Sequence, residues 1–99
     1  MTEAQALLDA FDAGTQVAPL TDARLLNIDD GYAIAAQIHD LRKARGERTV
    51  GRKIGFTNRT IWPIYNVDAP VWGWVWDSGL HDIPASGEIT LPPQAELRI

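Results

Sequence analysis

The sequence predicts an α/β (α+β) domain: two N-terminal helices packed on a small sheet, with a short helix between its strands. Three observations carry this. Two stretches of helical periodicity run up to Gly14 and Gly46. Two runs rich in β-branched and aromatic residues follow, at 49–56 and 71–76. Between these runs, Thr57 and Asn58 offer a helix cap ahead of Pro63. At 99 residues the chain reads as one domain, residues 1–99, with a modest core.

The first helix begins after Thr2, an N-cap whose partner three residues on is Gln5 in a capping-box pattern. Leu7, Leu8 and Phe11 share a face, and Gly14 stops the helix. Residues 14–27 form a connector in which Pro19 sets an extended turn before Leu20. Asp29 or Asp30 caps the second helix, where an acidic side chain suits the positive end of the helix dipole. Tyr32, Ala33, Ala36, Ile38, Leu41 and Ala44 supply its apolar face. Arg42, Lys43 and Arg45 crowd the last turn before Gly46, where cations are favoured. His39 has Lys43 rather than a metal ligand one turn on, so it reads as a surface or core histidine.

The run at 49–56 reads as a strand, and Gly51 and Gly55 within it imply a bulge or a close backbone approach. Pro63 keeps the following helix brief, and Asn66 suits a turn with positive φ. In the strand at 71–76, Trp72, Trp74 and Trp76 alternate onto one face. Such a stripe is either a stacking platform for sugars or bases or the buried face of a sheet. Packing is the favoured reading, because the chain has few other large side chains for a core. Asp77, Ser78 and Gly79 turn the chain. A short strand at Glu88–Leu91 and another beginning at Glu96–Ile99 are expected, the last with no stop signal behind it. An unpaired final edge would favour self-association.

Composition excludes several classes. There is no cysteine, hence no disulfide framework and no thiolate metal site. No stretch approaches the roughly 18 apolar residues of a membrane span. The first 14 residues carry Glu3, Asp9 and Asp12 and no basic side chain, unlike a secretory leader. A soluble cytoplasmic protein is expected, with no membrane partner. The net charge of −4 argues against nucleic acid as the main partner. It also hides a segregation: residues 1–41 sum to −6, residues 42–59 to +6 and residues 60–99 to −4. The basic stretch reads chiefly as a solvated helix end and turn that pairs with the acidic N-terminal segment.

The central segments are the specific ones. Lys53-Ile-Gly-Phe-Thr-Asn58 is followed, in register, by Val67-Asp-Ala-Pro-Val-Trp-Gly-Trp-Val-Trp76. Together with Leu20-Thr21 and the Asp30-Gly31-Tyr32-Ala33-Ile34 helix start, they resemble the hydratase/decarboxylase branch of the fumarylacetoacetate hydrolase superfamily. That branch includes 2-keto-4-pentenoate hydratases, 2-oxohepta-3-ene-1,7-dioate hydratases and 4-oxalocrotonate decarboxylases. The resemblance spans essentially the whole chain. The chain departs from the pattern at Arg52, where an aromatic residue is common, at Asn58, which replaces a serine, and at Pro63, Tyr65 and Asn66.

The resemblance implies the N-terminal domain of a hydratase, with the C-terminal β-rich domain missing, acting on a small 2-oxo-4-enoic acid of aromatic meta-cleavage catabolism. It implies Lys53 as a catalytic residue. Lys53 lies between Gly51 and Gly55, which leaves room for a ligand. Thr57 and Asn58, at a helix start, are the candidates for the substrate carboxylate. The family holds Mg²⁺ or Mn²⁺ on a Glu-x-Glu pair and a further acidic residue. Glu88 and Glu96 form no such pair, and His81 and Asp82 would point to opposite faces of a strand. No metal ligand or cofactor is therefore assigned to this chain, and it is expected to be inactive alone. A homo-oligomer or a complementing chain is the expected assembly. Three other readings stand beside this one: half of a 4-oxalocrotonate decarboxylase-like enzyme, a non-catalytic assembly or binding module, and a tryptophan-lined strand for sugars or bases.

Overall fold

The computed structural model describes residues 2–91 and shows a small α+β protein. Its elements are α1 (Glu3–Ala13), α2 (Ile28–Ala44), β1 (Thr49–Gly55), α3 (Trp62–Tyr65) and β2 (Val71–Trp76). The 3₁₀ turns Leu20–Asp22, Arg59–Ile61 and Asp77–Gly79 punctuate them. The expected strand beginning at Glu96 lies outside the described residues. The described residues divide into two compact units: one holds residues 2–46 and 81–91, and the other is Glu47–Leu80.

In the first unit, α1 lies against α2. Thr2 caps α1, its Oγ1 accepting the Gln5 N–H at 3.1 Å. Gln5 does not close the box; its side-chain amide donates instead to Asp9, one turn on, at 2.8 Å. Gly14 takes the left-handed C-cap at φ 66°, a conformation that a side chain would strain. The cap of α2 is Asn27, not Asp29 or Asp30. Asn27 Oδ1 accepts the Asp30 N–H at 2.8 Å, and Asp30 Oδ2 accepts the Asn27 N–H at 3.0 Å. Asp30 thus closes a capping box from the third helical position, and Asp29 remains a first-turn acid.

The apolar face of α2 is also placed differently. Ile34 is its buried residue, while Ala33, Ala36 and Ala44 are exposed. Ile34, Ile38 and Leu41 are spaced as one helix face, and that face carries the burial. Ala4 and Leu8 are the buried residues of α1. The basic end of α2 does meet the acidic N-terminal segment. Arg45 donates to both carboxylate oxygens of Asp12, at 2.7 and 3.1 Å, and the Arg42 guanidinium lies 5.1 Å from the centre of the Phe11 ring. Arg24 pairs with Glu3 at 2.6 Å, and that hydrogen bond holds its ionisation above the ordinary arginine value.

No strand forms at Glu88–Leu91. The backbone turns there instead: Gly87 sits at φ 75° and donates its N–H to Pro84 O at 2.9 Å, and the Glu88 N–H goes to Ser86 Oγ at 3.3 Å. A side chain takes the donor that a sheet ladder would need.

The second unit is built on an antiparallel ribbon of β1 and β2. Thr49 pairs with Trp76 and Gly51 with Val75, so Val50 is the extra residue of a bulge. From Gly51 onward the alternation is regular: Arg52 faces Trp74, Lys53 faces Gly73, Ile54 faces Trp72 and Gly55 faces Val71. Asp77 ties the ribbon's end, its N–H donating to Arg48 O at 2.8 Å while its carboxylate accepts the Arg48 N–H at 3.1 Å. No helix among the described residues is long and apolar enough to cross a membrane.

Candidate active site

Register decides what surrounds Lys53. Cross-strand partners share a face. One face of the ribbon therefore carries Gly51, Lys53 and Gly55 from β1 and Val71, Gly73 and Val75 from β2. Lys53 is exposed. A Cβ added at Gly51, Gly55 or Gly73 would meet nothing within 4 Å. The glycines of β1 serve no close approach by the described chain. Their lack of side chains leaves Lys53 standing on open ground.

The opposite face carries the tryptophans. Trp72 and Trp74 meet edge to face at 5.3 Å. The Arg52 guanidinium lies over both, 5.0 Å from the Trp72 ring and 4.6 Å from the Trp74 ring. The stripe is graded: Trp76 is buried, Trp74 intermediate and Trp72 exposed. Packing therefore describes one end of the stripe, and at the other end an arginine covers the rings. Arg52, Ile54, Pro70, Val71 and Trp72 line a shallow groove of about 230 Å³.

The other two candidate residues follow β1 after a single residue, Phe56. The strand stops at Gly55, one residue short of the predicted run, because Phe56 turns into the left-handed region at φ 56°. Thr57 and Asn58 come next, both exposed. Asn58 is the cap of the two: its Oδ1 accepts the Thr60 N–H at 3.1 Å and the Thr60 hydroxyl at 2.7 Å. The helix it starts is brief, three 3₁₀ residues and then the four of α3, with Pro63 in the first turn of α3 and Asn66 at its left-handed end. Phe56 reads in the sequence only as part of the strand and motif, and Trp62 carries no signal there, yet the two bind this hook together. Trp62 Nε1 donates to Phe56 O at 2.9 Å, and the Phe56 ring meets Tyr65 edge-on at 5.3 Å. A phenylalanine with positive φ leaves no signal in composition or spacing.

The donor set of the described residues does not fit a metal ion. Among the described residues no group of three His, Asp or Glu side chains comes together. The unit carrying Lys53 thus presents a cation on an open face, with a hydroxyl and an amide four and five residues on. These are groups that bind and orient an acid and that serve proton transfer.

No protein-family model matches the chain. Curated relatives do. It is 37% identical over 78 residues to 2-hydroxyhexa-2,4-dienoate hydratase of Comamonas testosteroni, covering 78% of this chain and 30% of the relative. It is 40% identical over 75 residues to 2-keto-4-pentenoate hydratase of Paraburkholderia xenovorans, covering 75% and 28%. It is 39% identical over 95 residues to 2-keto-4-pentenoate hydratase 1 of Dechloromonas aromatica, covering 90% and 36%. The chain is similar, over a part of their length, to hydratases of 2-oxo-4-enoic acids. More narrowly, it resembles 2-keto-4-pentenoate hydratase-like proteins, and it spans roughly 30% of the length of the first relatives.

Proposed function

We propose that this chain supplies the N-terminal domain of a metal-dependent hydratase that adds water to a small 2-oxo-4-enoic acid. The observation that carries the reading is the similarity to hydratases over most of the chain. The open, glycine-lined face around Lys53 supports it. Hydration delivers a proton and a hydroxyl group across a carbon–carbon double bond through an enol or enolate. An ammonium group beside the 2-oxo end neutralises the developing oxyanion and serves the proton transfers, and Lys53 has that role here. The Thr57 hydroxyl and the Asn58 side-chain amide hold the substrate carboxylate. A hard divalent cation, Mg²⁺ or Mn²⁺, needs ligands beyond the described residues. In this reading turnover needs those further ligands, supplied within a homo-oligomer or by a complementing chain.

The test is to supply the chain with the remaining part of a related hydratase. Hydration of 2-hydroxypenta-2,4-dienoate is then followed by the loss of its ultraviolet absorbance, with Mg²⁺ or Mn²⁺ added. Turnover is expected in the completed protein and not in the chain by itself. Clear turnover by the chain alone would show that the metal site lies within it or is not required. Lys53→Ala in the completed protein is expected to lower kcat by roughly 100-fold or more. An unchanged rate removes Lys53 from the chemistry.

A further inference from the structure

Two non-glycine residues among the described ones have positive φ, Asn66 and Phe56. Asparagine tolerates the left-handed region; a bulky aromatic residue there is an outlier. The neighbouring Gly55, which would adopt it without strain, is not in it. Backbone strain of this kind persists only where the surroundings enforce it. Here they do so through the Trp62 Nε1–H bond to Phe56 O at 2.9 Å and the Phe56–Tyr65 edge contact at 5.3 Å. Trp62 is itself covered by the Arg59 guanidinium at 5.5 Å, and its carbonyl accepts the Val67 N–H at 3.1 Å.

The strained residue falls between the two halves of the candidate site. Lys53 lies three residues before it, at the last regular pairs of the ribbon, and Thr57 and Asn58 follow it directly. The dihedral angles of Phe56 therefore set the direction in which Thr57 and Asn58 leave the strand that carries Lys53. We propose that Phe56 and Trp62 are positioning residues: the left-handed turn at Phe56, latched by the Trp62 indole N–H, holds Thr57 and Asn58 in register with Lys53 for one 2-oxo carboxylate. The inference rests on the substrate class proposed above. It assigns a role to two residues that touch no substrate.

The test uses the chain completed with the remaining part of a related hydratase, with Mg²⁺ present, and a stable 2-oxo acid, 2-oxopentanoate, as the probe. Amide and Lys53 side-chain resonances are followed by NMR during titration. Three variants separate the elements of the latch. Trp62→Phe removes the indole donor and keeps a ring. Phe56→Val places a β-branched residue where positive φ is least tolerated. Phe56→Asn restores a residue that accepts it. Trp62→Phe and Phe56→Val are expected to weaken binding roughly five-fold, the scale of one hydrogen bond. Phe56→Asn is expected to stay within about two-fold of wild type. A purely structural latch would lower the melting temperature of Trp62→Phe and leave its affinity unchanged, which overturns the proposal. The resonances of β1 and β2, in the same unit, report whether each variant is folded; should Phe56→Val unfold, Trp62→Phe against Phe56→Asn still decides. A wild-type spectrum untouched by 2-oxopentanoate overturns the substrate reading itself. Wild-type binding with equal affinity in Trp62→Phe overturns only the positioning role.

Discussion

Gly73 stands opposite Lys53 in the ribbon, and a Cβ built there meets nothing within 4 Å. Stability and function therefore separate at this position. Gly73→Val adds a residue that strands favour, into space that the described chain does not use. Its unfolding free energy in urea is expected to match wild type within about 0.5 kcal/mol, or to exceed it. In the completed hydratase the new side chain crowds the ground in front of Lys53, and hydration is expected to fall roughly ten-fold or more through misplacement of the substrate. Full activity with unchanged stability would mean that the substrate does not approach this face. The neighbouring Arg52 shows how an arginine stands where the resemblance favours an aromatic residue. Its planar guanidinium lies on Trp72 and Trp74 as a ring would.

At the scale of elements, the ends of the helices follow from short-range hydrogen bonding. Asn27 closes a reciprocal box with Asp30, so Asn27→Ala removes an acceptor for an amide that has no partner within the helix. A loss of about 1 kcal/mol in unfolding free energy is expected, read by urea denaturation. The two acidic residues that follow Asn27 hide this cap in the sequence, because either of them is itself a good cap. The geometry chooses the residue whose backbone is still extended, and that is Asn27 at φ −94°, ψ 178°. Thr2, Gly14, Gly46 and Asn66 are legible beforehand, since each depends on residues within a few positions of itself, and both strands are legible because two runs of strand-forming residues are present to pair with each other. The strand expected at Glu88–Leu91 does not form, because a strand needs a partner, and Ser86 takes its first donor locally just after Pro84 accepts the Gly87 N–H.

At the scale of the whole molecule, the buried apolar residues among those described are Ala4, Leu8, Ile34 and Trp76. Leu8 is 4% exposed and is the larger of the two buried side chains of α1. Leu8→Ala is expected to cost about 2–4 kcal/mol, a large share of the stability of a small domain, and thermal unfolding of the variant should begin well below that of wild type. Large apolar side chains also remain in solvent, among them Leu25, Ile54, Ile64 and Ile83, at 65% exposure or more.

The division between what was legible and what was not follows the range of the interactions. The sequence by itself determined the two long helices, the two strands and the motif segments around Lys53 and Val67–Trp76, because propensity, spacing and capping act over a handful of residues. Only the tertiary structure decided that Lys53 shares its face with Gly51, Gly55 and Gly73 while Arg52 covers the tryptophans on the other, because the bulge at Val50 and the cross-strand register assign the faces. It alone revealed the turn at Phe56, because the Trp62 indole that holds it lies six residues away and leaves no local signal of that bond.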